Sequence, residues 1–173
     1  MKQIIIVRKD LNMSKGKMAA QVAHASMAFL TSVMKKNSKI SIYNSSYYSC
    51  RFLIHKKLYE DWICGFFTKV ILEAKNKYQL EKVYKIANEL GLKEGVDYFP
   101  IKDNCYTELE PEEVDENGIG RTLTCVGFIP LSDETANKIS KKYQLYHDNK
   151  NDIDPWDGEK PHAKNGFVEK YCL

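Results

Sequence analysis

An amine, an amide and an imidazole recur at helical spacing near the start of the chain, in Lys17, Gln21 and His24. The segment is rich in Ala and Met, and neither Gly nor Pro follows until well past residue 34, so the sequence predicts a helix from about 17 to about 35. Positions i, i+4 and i+7 lie on one face of a helix. These three side chains therefore predict a polar stripe that begins at the helix N-terminus.

The predicted helix start is suited to an anion. Its unpaired N–H groups and partial positive charge favour a phosphate, a carboxylate or a developing oxyanion. Lys15 and Lys17, separated by the flexible Gly16, add positive charge there. Each of these residues alone is more often a solvated or core residue. Their combination after a strand indicates a site, and on chemistry alone the two interpretations are about equal.

Composition places the chain among globular proteins. It has 173 residues, 43% hydrophobic and 28% charged, which suits one domain with a real core. Apolar runs are too short for a membrane helix, and the N-terminus does not resemble a signal peptide. Five scattered cysteines without a C-x-x-C pair support neither a zinc site nor a disulfide framework. We expect a cytoplasmic protein that uses no metal or cofactor and has no membrane partner.

Charge is unevenly distributed. The net charge is +3, but residues 108–116 hold six acidic side chains, which leaves the remainder of the chain strongly basic. A basic body suits a nucleic-acid partner, although a solvated surface with one acidic loop is the plainer explanation. Carboxylates near a nucleic-acid site should repel phosphates unless they turn away or pair with basic side chains.

Strands and helices alternate along the chain, which indicates one layered α/β domain with a mixed sheet. Strands are predicted at 2–8, 68–74, 96–103 and 122–129, the last closed by Pro130, and helices at about 17–35, 56–65 and 78–90 and from a cap at Ser132 to about 142. Within the domain 1–147, the insert 36–54 fits a hairpin, a packed loop or a mobile flap, and 108–118 forms an acidic loop. Residues 148–173 are predicted to form an irregular arm.

The run from Val7 to Ala25, V-R-K-D-L-N-M-S-K-G-K-M-A-A-Q-V-A-H-A, closely resembles the opening of the type II peptidyl-tRNA hydrolases. That family begins with a strand followed by R-x-D-L-x-M-x-K-G-K-x-A-A-Q-x-x-H-A. The resemblance implies a four-stranded sheet with helices on both faces, in the order β-α-α-β-α-β-β-α. It is strong over residues 2–34 and looser over about 56–142.

Two later motifs continue the resemblance. Asp103 to Thr107 matches the family pattern D-x-G-x-T except that Cys105 stands at the glycine, and Thr124 opens a match to T-x-x-G-x-x-P. Because Cys cannot adopt a positive φ without strain, we expect the turn here to differ from that of the family. No partner base supports Cys105 as a nucleophile.

The resemblance implies roles for individual residues. The catalytic set corresponds to Lys17, Gln21, Asp103 and Thr124, and the supporting, substrate-binding set to Asp10, Lys15, Gly16, His24 and Thr107. Asp103 would act as general base or orient the water, and Lys17 would stabilise the oxyanion or a phosphate. Asp10 is as well explained by capping of the loop before the helix.

The aromatic residues in and near the insert can be interpreted in two ways. Trp62, Tyr43, Tyr47 and Tyr48 have rings that can stack on the terminal adenine of a tRNA, but such rings are more often part of a core. For Trp62 we predict a core position.

The implied activity is hydrolysis of the ester between peptide and tRNA in peptidyl-tRNA, which releases the tRNA. The alternative is a non-catalytic RNA- or phosphate-binding module on the same scaffold. A homodimer is expected from the family alone.

Overall fold

A computed structural model describes residues 1–147. The predicted arm 148–173 lies outside these residues. The helices are α1 (Lys15–Asn37), α2 (Lys56–Leu58), α3 (Lys77–Glu89) and α4 (Asp133–Ser140), and a π-helical segment (Tyr59–Phe66) follows α2. The strands are β1 (Lys2–Arg8), β2 (Ser38–Ile40), β3 (Tyr48–Cys50), β4 (Lys69–Ala74), β5 (Tyr98–Asp103), β6 (Glu113–Val114), β7 (Gly120–Leu131) and β8 (Gln144–Leu145).

The main sheet is mixed, as predicted, but it has six strands in the described chain and not four. Its order is β5-β7-β1-β4-β8, with β6 also paired to β7. β1 runs parallel to β4 and antiparallel to β7. The two strands missed by the prediction, β6 and β8, have only two residues each, too few to show an alternating pattern.

Alternate residues of β1 supply two cores, one on each face of the sheet. Ile4 and Ile6 pack in a cluster that includes Leu80 of α3 and Ile139 of α4. Ile5 and Val7 pack in the other cluster with Ala25 of α1 and nearby α1 side chains. Because successive side chains of a strand point to opposite faces, this one apolar run holds helices on both sides of the sheet.

Helix α1 lies unusually close to strand β7. A Cβ built on Gly127 would lie 2.6 Å from the carbonyl oxygen of Ala25, so only a glycine permits this approach. Ser14 caps the helix by accepting a hydrogen bond from the Lys17 N–H. The close contact and the cap together fix the depth and start of the helix relative to the sheet.

Several boundaries differ from the sequence predictions. Pro130 lies inside β7, opposite Gln3, and does not end the strand. The pairing of β1 and β7 shifts register between Gln3 and Ile5, and such irregular pairing is where a strand tolerates a proline. The predicted helix 56–65 is instead one turn of α-helix followed by the π-helical segment, in which Gly65 has non-helical dihedral angles.

Two further predictions concern the insert and its neighbourhood. Of the three forms considered for 36–54, the structure has the hairpin, made of β2 and β3. Trp62 is 1% exposed and packs against Phe29 and Phe67, so its predicted core position is confirmed. Within residues 1–147, no helix is both long and apolar enough to cross a membrane.

Candidate active site

Polar side chains from three elements meet at one edge of the sheet. Lys17 and Gln21 come from the first two turns of α1, Asp103 ends β5, and Thr124 lies inside β7. β5 and β7 are neighbours, and α1 packs over both because Gly127 lets it approach. The four residues that the family resemblance singles out as catalytic are thus brought together, although they span more than 100 positions of the chain.

The Asp103 carboxylate is the centre of the cluster. Its Oδ1 accepts hydrogen bonds from Lys17 Nζ at 2.9 Å and from the Cys105 backbone N–H at 2.9 Å. Its Oδ2 accepts from Gln21 Nε2 at 2.7 Å. Burial on its own would raise the pKa of Asp103, but these hydrogen bonds and the charge of Lys17 together hold the pKa below its usual range. The carboxylate is therefore ionised at neutral pH.

The orientation of the Gln21 amide follows from this charge. An ionised carboxylate only accepts, so the amide must turn its NH₂ group toward Asp103 and its oxygen toward Thr124. The Thr124 hydroxyl then donates to Gln21 Oε1 at 2.8 Å. Both side chains are buried, at 3% and 0% exposed, so a wrong orientation would leave a buried polar group unpaired. Thr124, Gln21 and Asp103 form one ordered chain of hydrogen bonds.

Cys105 occupies the position where the family pattern has glycine, and it adopts φ 55°, in the left-handed region. A difference in the turn was expected because a cysteine should avoid a positive φ, and that premise does not hold here. The backbone keeps a conformation that suits glycine, at a penalty of about 1–2 kcal/mol for a residue with a Cβ. The Cys105 N–H bond to Asp103 and the Sγ contact with Thr122 Oγ1 at 3.4 Å help to hold it there.

A cleft of about 380 Å³ opens beside the cluster. Lys17, Gln21 and Asp103 lie along its wall together with His24 and Thr107. Lys17 Nζ also donates to Thr107 Oγ1 at 3.1 Å. Because an ammonium group has three N–H bonds, one remains without an acceptor among the described residues and is available to a ligand in the cleft.

Tyr106 is a residue of the cleft that sequence reasoning missed. Its ring lines the cleft and is 77% exposed. The signal was present, since an aromatic side chain inside the motif Asp103–Thr107 is well placed to stack on a base. Tyr43, Tyr47 and Tyr48 are not among the described residues that line the cleft.

The remaining residues of the supporting set lie around the cleft and not in its wall. Asp10 accepts two hydrogen bonds from the Arg8 guanidinium, at 3.1 and 2.7 Å. Lys15 and Gly16 form the exposed first turn of α1. A Cβ at Gly16 would meet nothing within 4 Å, so packing does not require glycine there.

Arg8 is a second residue that sequence reasoning missed, because its partner is distant in the chain. It is 4% exposed, and its guanidinium donates to both carboxylate oxygens of Glu112, at 2.8 and 2.7 Å. Lys77 also pairs with Glu112, at 3.2 Å. Burial would lower the pKa of Arg8, but its hydrogen bonds to Glu112 and Asp10 raise it, so the charge is permanent. This cluster fastens the acidic loop to β1 and α3.

The acidic loop as a whole is less free to repel phosphates than its sequence indicates. Glu113 pairs with Lys102 and Asp115 with Arg121, and Glu108 accepts hydrogen bonds from the backbone N–H and hydroxyl of Ser14. With Glu112, four of the six carboxylates therefore have partners. Repulsion was not expected for carboxylates that pair with basic groups, and this holds for three of the six, Glu112, Glu113 and Asp115.

Two observations concern metals and thiols. Residues 1–147 contain no group of three or more His, Cys, Asp or Glu side chains placed to hold a metal ion. Cys125 is fully buried beneath Gln21, and burial raises the pKa of its thiol to about 12. Such a thiol is inert, and its role in the site is packing.

Comparison with known proteins places the chain in a family. The family model described as Peptidyl-tRNA hydrolase PTH2 matches residues 1–146. A protein named peptidyl-tRNA hydrolase from Sulfolobus acidocaldarius is 32% identical over 145 residues, which cover 84% of this chain and 99% of that protein. Proteins of the same name from Haloquadratum walsbyi and Thermoplasma acidophilum are 30% and 28% identical, over 84% and 83% of this chain and 100% and 97% of their own length. The chain therefore belongs to the peptidyl-tRNA hydrolase family PTH2.

Proposed function

We propose that this protein is a hydrolase that cleaves the ester between peptide and tRNA in peptidyl-tRNA, and so returns tRNA to translation. The observation that carries the proposal is the network of Lys17, Gln21, Asp103 and Thr124 beside an open cleft, in a chain of this family. The network combines a cation for an oxyanion with a fixed carboxylate for a water, which are the two requirements of ester hydrolysis.

Lys17 stabilises the negative charge that develops on the ester carbonyl oxygen. Its side chain is only 12% exposed, so its charge is poorly screened by water. Lys17 lines the cleft and has one N–H without an acceptor among residues 1–147, and the bonds to Asp103 and Thr107 hold the group in place before substrate arrives. A donor fixed in advance at a developing oxyanion lowers the barrier by about 3–4 kcal/mol in enzymes of this kind.

Asp103 orients the attacking water and receives its proton. A carboxylate with a lowered pKa is a weak base, so its main contribution is the position of the water, and it holds the proton only briefly. The water oxygen bonds to the carbonyl carbon, the bond from that carbon to the ribose oxygen breaks, and the proton passes to the departing ribose oxygen. Gln21 and Thr124 keep the carboxylate in the required orientation.

The residues around the cleft bind the substrate. Thr107 and His24 line the wall, and the open first turn at Lys15 and Gly16 allows close approach of a phosphate to the helix N-terminus. Asp10 acts through Arg8, which joins the loop before α1 to Glu112. These assignments follow from position and family resemblance.

Three further expectations belong to the same proposal. The enzyme is cytoplasmic, where its substrate is made, and residues 1–147 form the hydrolase domain. The homodimer expected from the family stays a prediction, and the mass of the protein in solution tests it.

The decisive experiment is single-turnover cleavage of an N-acetyl-aminoacyl-tRNA by the purified protein. We expect release of the blocked amino acid far above the rate in buffer, and near-complete loss of release in a Lys17→Ala, Asp103→Asn double variant. The matched control is Lys82→Ala, which removes a charge from α3, on the opposite side of the sheet. Binding of tRNA without cleavage by the unmodified protein would instead establish the non-catalytic binding module.

A further inference from the structure

The β2–β3 hairpin exposes aromatic side chains that a small domain would ordinarily bury. Tyr43, Tyr47 and Tyr48 are 92%, 64% and 72% exposed, and Ile40 and Ile42 are exposed beside them. Exposed aromatic groups of this kind usually mark a surface that meets a partner. The hairpin follows the C-terminal end of α1, whereas the cleft lies at the N-terminal end.

The hairpin that bears the exposed tyrosines is ordered. Its strands pair in register, with Lys39 opposite Ser49 and Ile40 opposite Tyr48. The turn is closed by the Tyr47 N–H donating to the Asn44 carbonyl oxygen at 3.1 Å, and the Ser46 N–H donates to Asn44 Oδ1 at 2.9 Å. At its base, Ser38 Oγ donates to the Met34 carbonyl oxygen at 2.7 Å, which ties the hairpin to α1. The rings are therefore presented on a fixed support.

The charged residues in the sequence around these rings are all basic. Residues 11–59 contain eight Lys and Arg residues and no Asp or Glu. Lys39 and Arg51 lie in and beside the hairpin, and within residues 1–147 no salt bridge joins either of them to a carboxylate. Lys35 and Lys36 precede the hairpin, but they also suit the negative end of the α1 dipole, so only Lys39 and Arg51 are assigned to the surface around the rings.

Exposed aromatic rings interleaved with unpaired cations suit RNA. The rings stack on unpaired bases, and the cations contact the phosphates between them. A protein partner would have to place an acidic surface here, whereas the substrate of the proposed function is already a polyanion. Asn37 follows Lys17 by twenty positions, which sets the hairpin base about 30 Å along α1 from the catalytic lysine. Stacking on the terminal adenine, whose ester lies in the cleft, is therefore not supported.

We propose that the β2–β3 hairpin, with Lys39, Tyr43, Tyr47, Tyr48 and Arg51, is a second tRNA-binding surface that holds a part of the tRNA remote from its 3′ end. The inference rests on the proposed function for the identity of the RNA. It assigns to the insert 36–54 the task of distinguishing a whole tRNA from a short ester, while the cleft performs the cleavage.

The test compares two substrates that share one ester. One is an N-acetyl-aminoacyl-tRNA, and the other is the same N-acetyl-aminoacyl group on adenosine. In the variant Tyr43→Ala/Tyr47→Ala/Tyr48→Ala, we expect kcat/KM on the tRNA to fall roughly 10- to 100-fold, since each stacked base contributes to affinity. On the adenosine ester the variant should match the unmodified protein. Tyr78→Ala, which removes an exposed ring from α3, is the matched control.

A charge variant tests the same surface independently. Lys39→Ser/Arg51→Ser keeps every ring, and we expect it to reduce the slope of log affinity for tRNA against log salt by up to about 1.8. Wild-type tRNA affinity in both variants would overturn the inference. So would an equal loss on both substrates, because the change would then act through the fold of the cleft.

The remaining outcomes are also distinct. A dimer that the tyrosine substitutions convert to a monomer, with tRNA affinity unchanged, would assign the surface to a second copy of the chain and overturn the inference. If the unmodified protein cleaves neither substrate, the proposed function fails, but the tRNA affinities of the two variants still decide whether the hairpin binds RNA.

Discussion

The polar side chains of the site at the N-terminal end of helix α1 are largely buried and hydrogen-bonded, whereas those in the hairpin after its C-terminal end are exposed. At the N-terminal end, Lys17 and Gln21 are fixed by hydrogen bonds to Asp103, and little of them is exposed. At the C-terminal end, the cations and rings of the hairpin are exposed, and Lys39 and Arg51 have no carboxylate partner among the described residues. A reacting group must be positioned before the substrate arrives, whereas a surface that holds a long polyanion needs its charges accessible. One helix separates these two requirements.

The largest effect should come from breaking the network at the cleft. Asp103→Asn keeps the shape and removes the charge that we propose orients the water, so we expect the single-turnover rate to fall at least about 100-fold. Affinity for tRNA should hold or improve, because a negative charge is lost from the site. Rapid-quench cleavage beside filter binding measures both quantities. Lys17→Ala should lower the rate by a similar factor but also weaken binding modestly.

The cleft variants should lose the cleavage step, whereas the hairpin variants should lose affinity for tRNA and keep the cleavage step. The two sets of variants therefore separate the roles of the two ends of α1. Full activity in both Asp103→Asn and Lys17→Ala would remove the chemistry from this end of the helix.

A smaller effect is expected from moving the N-terminal half of α1 away from the sheet. Gly127→Ala places a Cβ against the Ala25 backbone, and overpacking of this kind typically destabilises a protein by about 1–3 kcal/mol. The displacement should also lengthen the bond from Gln21 to Thr124, so kcat should fall while hairpin-mediated tRNA binding persists. Urea unfolding and filter binding test the two parts. An equal loss of cleavage and binding would show that the two ends are not independent.

The pH dependence of stability tests whether Asp103 is ionised in the folded protein. The pKa of Asp103 is lowered in the folded state, so the unfolded state takes up its proton first as pH falls. The stability due to this group is therefore present above the ordinary Asp pKa of about 3.9 and is lost as pH falls through the lower folded value. Unfolding curves of the unmodified protein and Asp103→Asn should differ most at neutral pH, and the difference should shrink as pH falls below about 3.9 toward the lower folded-state pKa. A constant difference would contradict the assigned ionisation.

The smallest effect should come from Cys105. Cys105→Gly removes the strain of the left-handed conformation, about 1–2 kcal/mol. It also increases the conformational entropy of the unfolded chain, which lowers the free energy of unfolding by about 0.4–1 kcal/mol. We expect the free energy of unfolding to rise by between zero and about 1.6 kcal/mol, with turnover retained, and Cys105→Ser should also retain most activity. Thermal unfolding and the ester assay measure these effects. A turnover loss above 100-fold in a folded Cys105→Ser variant would make the thiol part of the chemistry.

Local patterns predicted the long strands and helices and the cap at Ser132. The apolar run of β1, the Ala-rich start of α1 and the cap at Ser132 all depend on neighbours in sequence. The family motifs also selected four residues that the structure brings within hydrogen-bonding distance of one another. Their roles in catalysis still depend on the kinetic tests.

The features that were missed depend on distant partners. β6 and β8 exist because β7 and β4 offer them free edges, and Pro130 stays in β7 because the pairing with β1 is irregular there. The burial of Arg8 depends in part on Glu112, 104 positions later, which supplies a second carboxylate beside that of Asp10. Cys105 could not be predicted to take a glycine conformation, because the bonds that hold it come from Asp103 and Thr122.

The late position of β7 has a consequence for the synthesis of the protein. β1 is made first, but its antiparallel partner ends at Leu131, so the sheet depends on contacts of very high contact order. Neither Asp103 nor Thr124 can join Lys17 until nearly the whole domain has emerged from the ribosome. While it is being translated, each copy of this hydrolase is itself the peptide of a peptidyl-tRNA. Because of its topology, no chain that ends before Thr124 can assemble the network of Lys17, Gln21, Asp103 and Thr124.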